Sequence, residues 1–104
     1  LNDTTPQNPH DLRAEKNEDG LFELSWEANS QNRVTYNVYR SETDTLSLDK
    51  AEKILVVGLR EPVFRYKAEE NDKAYYYYIT TSDSFHNESN PSIPAFFYHS
   101  QTEK

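Results

Sequence analysis

Cysteine and methionine are both absent from these 104 residues, and glycine appears only twice. Without cysteine there can be no disulfide, no thiolate nucleophile and no cysteine-based zinc site. The compartment stays open on that count, because a secreted domain need not carry disulfides. Without methionine there is no initiator residue, which leads us to expect either a processed product or, by preference, a domain of a longer polypeptide. No apolar run approaches the roughly 18 residues of a membrane-spanning helix, and the start has no charged-then-apolar signal pattern, so no membrane insertion is expected. A basic stripe is missing too. Eighteen acidic residues against eleven basic ones give a formal charge of −7, and the basic residues are scattered from Arg13 to Lys104. Neither nucleic acid nor an anionic membrane surface is an expected partner for such a surface.

Aromatic residues are what the chain does have: eight Tyr, five Phe and one Trp. With aliphatic residues few, these rings must supply much of the burial in a chain long enough for one domain, which hides roughly two thirds of its unfolded surface on folding. Tyr75 to Tyr78 form an unbroken run that continues through Ile79, Thr80 and Thr81. Aromatic and β-branched residues at that density predict a strand, Lys73 to Ser82, whose alternate side chains face opposite ways.

Other strands follow from the same period-two reading. They are expected near Asp11 to Glu15 (Leu12 and Ala14 inward) and over Leu21 to Glu27 (Phe22, Leu24 and Trp26 inward). Val34 to Arg40 places Val34, Tyr36 and Val38 inward, and shorter strands are read at Ile54 to Val57, Val63 to Tyr66 and Ala95 to His99. Asn17 to Gly20 reads as a turn. Asp44 or Thr45 could cap a short helical turn over Leu46 to Glu52. Residues 1–9 are polar with two prolines and read as a linker or leader, 10–100 as the domain and 101–104 as a tail. Seven short strands with no long helix period predict an all-β, antiparallel sandwich.

Catalytic patterns are lacking. The carboxylates fall in turns and on outward strand positions rather than in an opposed pair, so no active site and no cofactor are expected. His10, His86 and His99 match no metal spacing and are read as ordinary surface residues. Glu69, Glu70, Asn71 and Asp72 lack the spaced ligands and turn glycine of a calcium loop and read as a solvated acidic turn. Asn2 with Thr4, and Asn87 with Ser89, satisfy the glycosylation sequon; both are read as accidental. No Arg-Gly-Asp tripeptide is present.

Trp26, the segment Tyr36-Asn37-Val38-Tyr39-Arg40-Ser41 and Tyr75 together resemble a fibronectin type III domain over nearly the whole chain. The loop Asp83 to Ser92 (DSFHNESNPS) is similar to the Asp-x-x-Gly-Asn-Glu-Ser-x-x-Ser ending of bacterial members. The resemblance implies a seven-stranded immunoglobulin-like sandwich in which Tyr75 is the tyrosine corner, its hydroxyl bonded to backbone a few residues upstream. It also implies an accessory module of the kind appended to secreted or surface glycoside hydrolases and related polysaccharide-processing proteins, and hence an extracytoplasmic location. Two positions depart from the family pattern. Glu69 stands where a leucine is usual, and His86 where a glycine is usual, which implies a changed loop conformation.

In the family register Phe96 and Tyr98 point outward on the sheet face that also carries Tyr39, Tyr76 and Tyr78. Five exposed aromatics on one face admit three readings: cross-strand packing, docking of a neighbouring domain of the same polypeptide, or stacking of a polysaccharide. The expected function is therefore a non-catalytic spacer and docking module. An independent carbohydrate-binding module is the alternative.

Overall fold

Alternation organises this molecule from its first hairpin. The computed structural model describes residues 6–29, 33–44, 54–67 and 69–100. Within them run seven strands: β1 (Arg13–Lys16), β2 (Leu21–Ser25), β3 (Thr35–Ser41), β4 (Ile54–Leu59), β5 (Val63–Lys67), β6 (Lys73–Ser82) and β7 (Ala95–His99). They form a three-stranded sheet ordered β1-β2-β5 and a four-stranded sheet ordered β4-β3-β6-β7, every pairing antiparallel. This is the sandwich that the period-two pattern predicts, with strand ends shifted by a residue or two. The capped helical turn read over Leu46 to Glu52 lies outside the described residues.

Local chemistry explains the joints. Asn17 folds the first hairpin by accepting the Asp19 and Leu21 amides on its side-chain oxygen, at 2.9 and 3.0 Å. Gly20 completes that turn at φ +80°, a region where a β-carbon is penalised. On the far edge of the other sheet, β4 is irregular. Its register against β3 shifts on both sides of Val38, and Gly58 at φ +78° gives its amide to the Asn37 side-chain oxygen at 3.2 Å. Such a bulge breaks the row of backbone groups that an edge would otherwise offer to another strand.

Register then decides which rings meet. Phe22 lies opposite Tyr66 and Leu24 opposite Phe64 in one sheet, while Val38 lies opposite Ile79 and Tyr75 opposite Phe97 in the other. The inner faces of the two sheets enclose Phe22, Leu24, Trp26, Tyr36, Val38, Tyr75, Tyr77 and Ile79. Phe22 is central: its ring lies 4.9 Å from those of Tyr77, Phe97 and His99 and meets Tyr66 edge-on at 5.4 Å. Trp26 meets Tyr36 edge-on, also at 5.4 Å. Offset and edge-on pairs of this kind add about 1 kcal/mol each to the burial of their area, which lets a chain poor in aliphatic residues hold a core. Part of the leader joins in: Pro6 and Pro9 are buried, and the His10 carbonyl accepts the Glu27 amide at 2.9 Å.

Candidate functional site

The five aromatics expected on one face do share it, but they do not form one exposed patch. Across the outer face of the four-stranded sheet, Tyr39 lies opposite Tyr78, Tyr76 opposite Phe96 and Ala74 opposite Tyr98. Phe96 and Tyr98 are 57% and 50% exposed, whereas Tyr39 and Tyr78 retain only 3% and 4%. Tyr76 is half-buried beside Phe96, with ring centroids 5.0 Å apart. The expectation of five exposed rings is therefore corrected for Tyr39 and Tyr78. The exposed patch is Phe96 and Tyr98 with the edge of Tyr76, at the β7 margin.

Glu88 is part of the reason. The chain leaving β6 turns back alongside it, where Ser82 and Glu88 form an isolated antiparallel bridge, and the Glu88 side chain reaches onto the β3–β6 half of the face. The returning carboxylate becomes a hub. Its Oε2 accepts the Thr80 hydroxyl at 2.6 Å, the Asn37 side-chain amide at 3.3 Å and the Tyr39 hydroxyl. Asn37 also donates to Thr80 and Ser82, at 3.1 and 3.0 Å. Burial pushes the Tyr39 hydroxyl well above its ordinary range, and the adjacent Glu88 charge pushes it further. A phenol held protonated in this way cannot serve as a base or nucleophile near neutrality.

The loop that delivers Glu88 holds itself in place. Asp83 accepts the Phe85 and Asn87 amides at 2.9 Å each and the Asn87 side-chain amide at 3.1 Å. The Asn87 bonds come first among the causes that keep its carboxyl below the usual range. Farther along, Ser89 Oγ accepts the Thr81 amide at 2.9 Å and Ser92 Oγ accepts the Ile79 amide at 3.1 Å. The Ser89 and Ser92 amides return the contact to the Thr81 and Ile79 carbonyls, at 2.8 and 2.9 Å. Two serines thus complete the hydrogen bonding of β6 before β7 begins. Ser89 is buried and Asn87 is engaged with Asp83, so this sequon belongs to the loop's framework.

No protein-family profile and no curated protein sequence matches the chain. Solved structures do. A Fn3-like protein from Clostridium thermocellum aligns over 97% of this chain and all of its own, at 20% identity and a TM-score of 0.73. Pectate lyase Pel3 from Pectobacterium carotovorum aligns over 86% of this chain at 20% identity and a TM-score of 0.64. Titin domains A168–A170 align over 93% at 19% identity and a TM-score of 0.64. The chain spans only 27% of the lyase and 33% of the titin segment.

The fold is fibronectin type III-like.

Within the Fn3-like sandwich, the corner position differs from expectation. Tyr75 is buried, but its hydroxyl meets the Asn71 side-chain amide at 3.4 Å, a side-chain contact four residues upstream where a backbone contact was expected. The Arg40 guanidinium lies over the ring at 4.1 Å and pairs with Glu69 at 2.8 Å. Glu69, standing where a leucine is usual, thus anchors the cation that covers the corner ring. His86 adopts φ +69°, so the last loop keeps a glycine-like backbone at that position and places histidine in it. This corrects the expectation of a changed conformation there.

His99 is a further correction, since it is 1% exposed rather than a surface residue. Its Nε2 lies 2.6 Å from the Tyr77 hydroxyl, while its Nδ1 is buried without a partner. Counting by twos from Ala95 and Phe97 already places His99 inward, and the same count from Val38 places Arg40 there. Among the described residues, no three His, Asp or Glu side chains are arranged to hold a metal. A groove of about 380 Å³ separates the leader from the loop before β7, and its titratable side chains are His10 and Asp11. No pair of carboxylates faces across it.

Proposed function

We propose that this Fn3-like domain is a non-catalytic accessory module, a spacer and docking partner within a larger extracytoplasmic bacterial protein of the glycoside hydrolase or polysaccharide-processing kind. The observation that carries the reading is the pairing of Phe96 and Tyr98, two large rings about half exposed at alternate positions of one edge strand. Exposed aromatic surface is costly to leave in water and is characteristic of interface cores. Support for the kind of parent comes from Pel3, a pectate lyase in which this fold matches about a quarter of the chain.

An independent carbohydrate-binding module is the second reading, because the same two rings could stack on sugar faces. Isothermal titration of the isolated domain against a panel of polysaccharides that includes polygalacturonate separates the two. The docking module gives no saturable heat with any of them. Saturable binding that disappears in the Phe96→Ala, Tyr98→Ala double variant would establish the carbohydrate-binding module instead.

A further inference from the structure

We propose that His99 is an acid-sensitive latch on strand β7, and that protonating its imidazole releases this edge strand before the rest of the sandwich opens. β7 is five residues long and, among the described residues, pairs with β6 alone, so it is fastened by one ladder, by its inward side chains and, on the solvent side, by the Tyr76–Phe96 contact and an exposed Tyr98–Asp72 hydrogen bond. Of the inward side chains, Ala95 and Phe97 are half-buried, and His99 is the one fully enclosed. The imidazole is sandwiched by rings from two strands besides its own, with Phe22 and Phe97 at 4.9 Å, Tyr75 at 5.8 Å and Tyr77 at 6.1 Å. Its one polar contact is the Tyr77 hydroxyl, and the second ring nitrogen has none.

Neutral imidazole suits this site and imidazolium does not. An added proton would put a positive charge on an enclosed ring whose Nδ1 has no partner in either neutral tautomer, and would require the Tyr77 oxygen to accept from Nε2–H. The surrounding charges do not rescue it. Arg40 on β3 is a cation that opposes a second one, and Glu69, the carboxylate that favours it, is already paired with Arg40 at 2.8 Å. Lys73 of β6, across from His99, and Lys16 of β1, across from Phe22, add cations at exposed positions on the same end, and Asp72, whose amide donates to the His99 carbonyl at 2.8 Å, adds an exposed carboxylate engaged with the Tyr98 hydroxyl. Tyr66 on β5 and Tyr75 and Tyr77 on β6 contribute neutral phenols. Burial accordingly pulls the imidazole below its ordinary value of 6.5, with Glu69 opposing and Arg40 reinforcing that direction. Exposure is the simplest escape: His99 ends its strand, and Ser100 beyond it is exposed.

The sign follows from a folded value below the unfolded one. Opening is unaffected well above pH 6.5, and each unit below it multiplies the opening constant by up to tenfold until the folded value is reached. Hydrogen exchange, corrected for intrinsic rates, reads this directly at pH 7.5 and 5.0. Protection of residues 95–99 should fall by up to about thirtyfold and should stand below that of β2 and β3 at both pH values, because those strands open only with the whole sandwich, which also frees His99. In His99→Phe the acid-dependent loss should vanish. Residues 95–99 as strongly protected as β2 and β3, or the same acid-dependent loss in the variant, would overturn the latch. Should the variant not fold, the His99 ring resonances of the unaltered chain decide: a titration midpoint at or above 6.5 refutes the proposal, and one below it supports it.

Discussion

The outer face of the four-stranded sheet holds two halves built from the same kind of residue with opposite fates. On the β3–β6 side Tyr39 and Tyr78 are enclosed, and Glu88, Asn37, Thr80 and Ser82 form a hydrogen-bonded network that takes in the Tyr39 hydroxyl. On the β6–β7 side Phe96 and Tyr98 face water. Strand position alone does not produce the difference, since all four rings alternate onto one face. For Tyr39 a returning loop contributes to it, by bringing Glu88 to the hydroxyl. Asp83 and Asn87 shape that loop so that Glu88 descends on one half, and the two serines then lead the chain along β6 to the start of β7. One half is structure; the other is left available for contact.

Substitutions can break this contrast or sharpen it. The largest expected effect is Glu88→Ala, which strips the shared acceptor from three donors on partly or fully buried residues. About 3 kcal/mol of unfolding free energy should be lost in urea titrations. Tyr39→Phe removes one donor to a charged acceptor and should cost about 2 kcal/mol by the same measurement. If either variant is as stable as the unaltered chain, the buried half is not the structural one. His86→Gly relieves a left-handed backbone and should raise stability by up to about 1 kcal/mol, read as a higher thermal midpoint.

Smallest should be Phe96→Ser and Tyr98→Ser, each within about 0.5 kcal/mol of the parent, since the rings are about half exposed and the one hydrogen bond, from Tyr98 to Asp72 at 3.3 Å, is solvent-exposed. A large loss there would mean that these rings serve the fold rather than a partner. One pH effect sharpens the loop's role. Asp83 has a folded value below its ordinary 3.8, so its contribution is present above that pH and lost as the pH falls through the folded value. In Asp83→Asn the urea midpoint should therefore depend less on pH below about 4.

Much of this was legible in the order of residues. Alternation placed Phe22, Leu24, Tyr36 and Val38 inward, and all four are buried. Strands β6 and β7 run over the residues that the pattern marks. Period-two counting also reaches His99 and Arg40, where a prior for charged or titratable residues at the surface pointed the other way. The interior accepts them because Tyr77, Tyr75 and Glu69 supply a hydrogen bond, a ring face and a countercharge.

What the sequence by itself determined is the period of each strand, and through it the two faces, the aromatic core and the sandwich. Those follow from local stereochemistry, which requires only that neighbours alternate. Exposure of the outer rings was decided by tertiary structure. Whether Tyr39 meets water depends on Glu88, 49 positions later, arriving over it, and long-range contact leaves no local period to read. The same holds for His99, whose burial among Phe22, Tyr75 and Tyr77 makes an ordinary imidazole into the weak point of an edge strand.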